Sequence, residues 1–225
     1  MVHCDVKQSI RLRIMDTKTT FDINCRQCPR LASFLDEVKA KYPSYFCKPV
    51  PAFGDANARL VIVGLAPGMH GANKTGRPFT GDYAGVLLYE TLYKYGFATK
   101  PQSLSVDDGL QLMNCRISNA VKCLPPDNKP LPVEITTCNQ FIAAELQQLE
   151  EDSIILALGN VAHAAVLKAF DLKAKDYKFG HAARHPLPNC LVLYDSYHCS
   201  RYNTQTRRLT ETMFHEVFAM IKSEL

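Results

Sequence analysis

Four short, nearly unbroken apolar runs punctuate the chain: RLVIVGL at 59–65, CRISNAV at 115–121, SIILALG at 153–159 and CLVLYDS at 190–196. Runs this short, bounded by turn-forming residues and lacking polar alternation, are the pattern of buried strands. Elsewhere the apolar positions recur every three or four residues. Leu31, Phe34, Leu35 and Val38 form one stripe, Val86, Leu87, Leu88 and Leu92 a second, and Ile135, Phe141, Ile142, Leu146 and Leu149 a third. This spacing predicts helices over 30–41, 84–95 and 133–149, with two more over 160–170 and 206–223.

Strands alternating with helices predict an α/β fold: a three-layer α/β/α arrangement around a central four-stranded parallel sheet. Right-handed crossovers bring the C-terminal ends of parallel strands to one edge, where such sheets bind ligands. Three loops are expected there, 64–82, 119–130 and 197–208. No repeat or linker divides the chain. A single domain over 1–225 is expected, with an arm over 1–24 whose structure the pattern does not set.

Composition changes this picture little. The 225 residues are 47% hydrophobic and 21% charged, ordinary for a globular chain. No run of about 18 apolar residues suggests a membrane helix, and the first residues lack the apolar centre of a signal peptide, so a cytoplasmic protein is expected. The net charge of +4 is compatible with a nucleic-acid partner without singling one out. The nine cysteines matter more. Their odd number, without a secretion signal, argues against a disulfide framework and toward metal. Cys25 and Cys28 form a C-x-x-C pair; Cys123 and Cys138 form a wider one. Four thiolates suit zinc or an iron–sulfur cluster. The wide second pair fits a zinc ribbon poorly, but spacing alone leaves cluster, zinc and no metal open. Cys115 and Cys190 sit in strand runs and read as buried thiols.

The stretch GLAPGMHGANKTG (64–76) nearly matches a phosphate-binding loop. Gly68, Lys74 and Thr75 have the right spacing, but Asn73 replaces the glycine before the lysine.

GLAPGMHGANKTGRPFTGD (64–82), SNAVKCLPPDNKP (118–130) and YHCSRYNTQTRRLT (197–210), taken with the four paired cysteines, resemble the uracil-DNA glycosylase superfamily, and within it the type 5 branch. The resemblance spans about residues 25 to 215. It implies an enzyme that flips uracil out of DNA and hydrolyses its N-glycosidic bond, and a 4Fe–4S cluster held by Cys25, Cys28, Cys123 and Cys138. The near-phosphate loop then becomes part of the base pocket, with Gly64, Ala66 and Gly68 lining it. Lys74 and the loop's backbone N–H groups are left for a DNA phosphate. Phe79 matches the stacking platform; as a bare residue it also reads as core. Asn119 matches the base reader, its amide complementing uracil O4 and N3–H; on its own it reads as a turn former. His198 matches the donor to uracil O2, and Asn203 falls among the substrate-contacting positions. His185 lies before a strand, at the wrong edge.

Other branches place a polar residue after the first strand, where this chain has Leu65 and Ala66. Asp82 is the nearest acid, with two readings: it orients water, or it caps the helix that follows. Where the family usually has His-Pro-Ser, this chain has His198, Cys199 and Ser200, so the proline's fixed φ is missing. Arg201 or Tyr202 is positioned to enter the space left by a flipped base. Gly68 stands where the uracil-strict branch has a bulky tyrosine, so a wide pocket is expected, admitting hypoxanthine and other deaminated bases. The expected partner is double-stranded DNA, with single strands also admissible, and the expected state is a monomer without membrane contact. The competing reading is a non-catalytic iron–sulfur DNA-binding protein. The cluster is expected to lie away from the pocket.

Overall fold

The structure, a computed structural model, describes residues 21–225; most of the expected arm falls outside the described residues. A six-stranded mixed sheet runs in the order β1-β3-β2-β4-β6-β5. Its centre is the expected parallel set: β2 (Leu60–Gly64), β3 (Cys115–Asn119), β4 (Ile154–Leu158) and β6 (Val192–Ser196). Two short strands extend it beyond the four expected. β1 (Phe53–Gly54) pairs antiparallel with β3, and β5 (Arg184–Pro186) antiparallel with β6. Two or three residues ending in Gly or Pro show no alternation, so the sequence pattern passes over them.

The central strands bury both faces. In β2, Leu60 and Ile62 pack into one core while Val61 and Val63 pack into the other. This follows from the two-residue period of a strand. The first core is closed by α3 (Tyr83–Lys94) and α7 (Glu211–Glu224), through Leu88, Leu92, Phe214 and Phe218. The second is closed by α4 (Pro132–Leu146) and α5 (Asn160–Ala169), through Ile142, Ala162 and Val166. The remaining helices are α1 (Pro29–Lys41), α2 (Ala72–Thr75) and α6 (Arg201–Gln205).

The helix expected over 206–223 starts later, at Glu211. The Thr210 side chain accepts the Met213 N–H at 3.2 Å and caps it. Before it, Ser200 caps the one-turn helix α6. Arg207 has φ 57, in the left-handed region, which breaks the helical path between them. Among the described residues, no helix is long and apolar enough to cross a membrane.

Candidate functional site

The parallel register places Gly64, the last residue of β2, opposite Asn119, the last of β3. Gly64 is bare for a reason. A Cβ there would lie 2.5 Å from Asn119 Oδ1 and 2.7 Å from Phe79 Cζ. The Asn119 amide and the Phe79 ring therefore meet over one glycine at the strand edge. Asn119 is buried, and among the described residues no hydrogen bond to its side-chain amide is formed, so its donor and acceptor both remain for a ligand.

Phe79 has φ 55, uncommon for a non-glycine residue and a mark of backbone held against its preference. Its carbonyl presses on Gly85 in the first turn of α3, where a Cβ would come within 1.8 Å. The neighbouring Pro78 carbonyl accepts a bond from Tyr89 Oη at 2.8 Å. Arg77, also buried, bonds Thr80 and Ser103 and pairs with Asp108 at 2.6 Å. The platform is thus fixed from three sides.

His198 follows β6. Its ring lies over that of Phe79, with centroids 5.9 Å apart and 26° between planes. Burial pushes its pKa down to about 4, so the imidazole is neutral at ordinary pH. Three contacts hold its loop. Asn203 Nδ2 donates to the His198 carbonyl at 2.8 Å, so the Asn203 side chain is engaged with the loop. Cys199 is fully buried, and its Sγ donates to the Ala84 carbonyl in α3 at 3.3 Å. His181 Nδ1 accepts the Tyr197 N–H at 3.2 Å, next to His198, and its ring stacks on Tyr197 at 5.1 Å. Behind the loop, Gly159 has φ 98, and a Cβ added there would only touch His198 Cβ at 3.6 Å, so the backbone conformation rather than space calls for glycine.

Asp82 is the N-cap residue of α3, yet its side chain makes no capping bond. It turns toward the glycine loop instead. Oδ2 accepts the Ala72 N–H at 3.4 Å. A Cβ on Gly71 would fall 1.9 Å from its carboxyl carbon, and one on Gly68 2.7 Å from Oδ1. Burial raises its pKa, against the opposing effects of the Ala72 N–H and the charge of His70. The space left by Gly68 is thus occupied by a carboxylate.

Cys25, Cys28, Cys123 and Cys138 line one pocket together with Leu31 and Phe141. Burial pushes Cys123 up to about 12 and Cys138 up to about 11, each raised further by the neighbouring thiols. The Lys122 N–H donates to Cys138 Sγ at 3.2 Å. Ala66 of the pocket loop packs in the same apolar cluster as these cysteines. The cysteine site is therefore a direct neighbour of the loop that follows β2, not remote from it as expected.

Sequence reasoning passed over His181 and Gly159. The one available signal was their position: each lies within or beside a loop at the C-terminal edge, but a lone histidine or glycine there has no distinctive spacing.

A doubly covered parallel sheet carries, at its C-terminal edge, an unpaired amide, an aromatic platform, a neutral imidazole and a held carboxylate. These are the parts of an enzyme that takes a planar heterocycle out of a larger polymer. The chain belongs to the uracil-DNA glycosylase superfamily: a family model described as "Uracil DNA glycosylase superfamily" matches residues 51–222. It is 46% identical over 203 residues to a type-5 uracil-DNA glycosylase of Thermus thermophilus, covering 88% of this chain and 92% of that one. It is 40% identical over 199 residues to a type-5 uracil-DNA glycosylase of Pyrobaculum aerophilum, covering 87% and 86%. A type-4 uracil-DNA glycosylase of Archaeoglobus fulgidus is 32% identical over 152 residues, covering 67% and 62%.

Proposed function

We propose that this chain is a monofunctional uracil-DNA glycosylase acting in DNA repair. The observation that carries this reading is the convergence on Phe79: its ring touches the space over Gly64 shared with Asn119, and lies against His198. Uracil stacked on Phe79 would meet the Asn119 amide with O4 and N3–H. Its O2 would accept a hydrogen bond from the neutral His198 ring. As the C1′–N1 bond breaks, the electron pair passes to the base, which leaves as an anion while the sugar gains oxocarbenium character. A preorganised N–H at O2 stabilises that anion without giving up its proton. Asp82 faces the same loop and, as a carboxylate, can orient the water that adds to C1′ and accept its proton.

The test is release of uracil from a duplex carrying one uracil, followed by strand cleavage at the abasic site with alkali. Release would exclude the alternative of a non-catalytic iron–sulfur DNA-binding protein; binding without release would establish it. Hypoxanthine presents the same acceptor and donor at O6 and N1, so hydrogen bonding at Asn119 cannot reject it. With Asp82 standing beside Gly68, the larger purine has less room than a bare glycine suggests, and hypoxanthine is expected to be released more slowly than uracil. Exposed Arg201, Tyr202, Arg207 and Arg208 follow the His198 loop and suit contact with a duplex. Double-stranded DNA is the proposed substrate, single strands a second one, and a cytoplasmic monomer the proposed working form.

The pH profile checks Asp82. Its ionised form is the useful one, and its pKa is raised. Excision is expected to fall as pH drops through that raised value, above the ordinary carboxylate range. His198 does not contribute there, because it stays neutral down to about 4. Asp82→Asn is expected to be slower and to lose this acid limb; a limb unchanged in the mutant would assign it to another group.

For the four cysteines a 4Fe–4S cluster is proposed. The donor set fits: four cysteines line one pocket, as a cluster held by four thiolates needs. Bound there, the cluster would supply a rigid cross-link between α1, α4 and the stretch after Asn119. Protein prepared without oxygen is expected to be brown with about four irons per chain. A colourless, zinc-loaded and fully active preparation would refute it.

A further inference from the structure

A second group of metal-ligating side chains lies outside both sites. His163 of α5, His185 of β5 and Asp195 of β6 converge so that one ligand atom from each lies within 4.8 Å of the others. The fold explains the meeting. His185 pairs with Leu193 across the antiparallel edge, and Asp195, two residues on, shares Leu193's face. His163 reaches the same point from α5. His163 Nδ1 lies 2.8 Å from Asp195 Oδ1, and His185 Nε2 3.2 Å from Asp195 Oδ2. Side-chain exposures are 3% for His163, 14% for His185 and 0% for Asp195.

We infer that His163, His185 and Asp195 form a binding site for a divalent cation of the zinc class. Two imidazoles and a carboxylate are a common three-ligand set for zinc, with water as the fourth ligand. One ligand atom from each residue lies within 4.8 Å of the others, against the ~3.4 Å edge of a tetrahedron with ~2.1 Å bonds, so a modest inward relaxation closes the site around a cation. His163 also has the outer partner that ligating histidines almost always have: its Nε2 bonds the Tyr177 carbonyl at 2.9 Å. That bond fixes Nε2 as the protonated nitrogen and leaves Nδ1 for the metal.

The plain alternative is an ion pair without metal. It needs a proton between His163 Nδ1 and Asp195 Oδ1, held either on the ring, which places an imidazolium and a carboxylate in the interior, or on Asp195, which leaves a neutral acid there. Buried pairs of this kind gain little over their desolvation cost. On binding, the cation takes the place of the proton between His163 and Asp195, which goes to solvent. The His185 proton moves from Nε2 to Nδ1. The bound cation would clamp α5, the short edge strand and β6 together, three residues before His198.

The test uses cluster-loaded protein, equilibrated with zinc chloride and freed of excess by gel filtration, with zinc and iron measured by atomic emission. Wild type is expected to retain about one zinc per chain, while Asp195→Asn and His185→Gln retain background levels, with iron equal in all three. Zinc should raise the melting temperature of wild type alone, reversibly with a chelator. Should Asp195→Asn fail to fold, His185→Gln, on a partly exposed edge strand, carries the comparison. Wild type without zinc, or equal zinc in all three proteins, overturns the proposal. Zinc that replaced the cluster instead would appear as equal iron loss in all three, and would likewise overturn it. None of these outcomes bears on uracil release.

Discussion

His198→Ala is expected to lower single-turnover uracil excision by ~10²–10³-fold, the usual cost of removing one preorganised donor to a developing anion. The imidazole lies against the Phe79 ring, partly shielded from solvent, where a hydrogen bond to O2 is worth more than in bulk water. Its depressed pKa makes the expected deficit distinctive. A histidine acting as a cationic acid would lose its effect as pH rises through its pKa. This one has a folded value of about 4, below its ordinary 6.5, so the neutral form is present throughout the working range. The ratio of wild-type to mutant rates should stay level between about pH 5 and 8. The linked effect on stability has the same sign: the unfolded chain takes up the proton first, so stability is complete above 6.5 and declines as pH falls toward 4. Binding of product DNA should survive the substitution. A rate within a few-fold of wild type would mean that another group holds the departing charge.

Asn119→Ala is expected to cost ~10²-fold or more in excision, because a site built to pair a polar edge loses both partners at once. The structure sharpens this expectation. The amide is buried and free of protein partners among the described residues, so nothing else compensates for its loss and no internal network collapses with it. The melting temperature should change little while excision falls. Single-turnover rates on one uracil duplex, together with a thermal melt, check both halves. A mutant of wild-type speed would remove Asn119 from the role of reader.

Much of this was legible in the chain. The four central strands were visible because they are buried on both faces and read as unbroken apolar runs. Asn119 and His198 were singled out because each stands in a motif at a strand end, and Phe79 because its motif fills the loop before α3. Other features depended on packing between segments far apart in sequence. β1 and β5 are too short to carry a pattern, so six strands were read as four. The direction of the Asp82 side chain was open between cap and pocket, and only its fit against Gly68 and Gly71 reveals it. His181 acts on Tyr197 from sixteen residues away. The adjacency of Ala66 to the cysteines could not be read from a C-x-x-C pair placed near the N-terminus.

Cys199 brings a different kind of consequence. A proline after His198 would stiffen the loop by a covalent ring, acting within one residue whatever its surroundings. Cys199 instead stiffens it by being seated: the side chain is wholly enclosed and its sulfur bonds to the first turn of α3. Stiffness of that kind is a shared property of two segments. Fraying of the α3 turn, which also supports Phe79 through Gly85, would loosen the imidazole and the platform together. The loop therefore has no rigidity of its own to outlast the helix, and on warming the two halves of the pocket should lose their order as one cooperative unit.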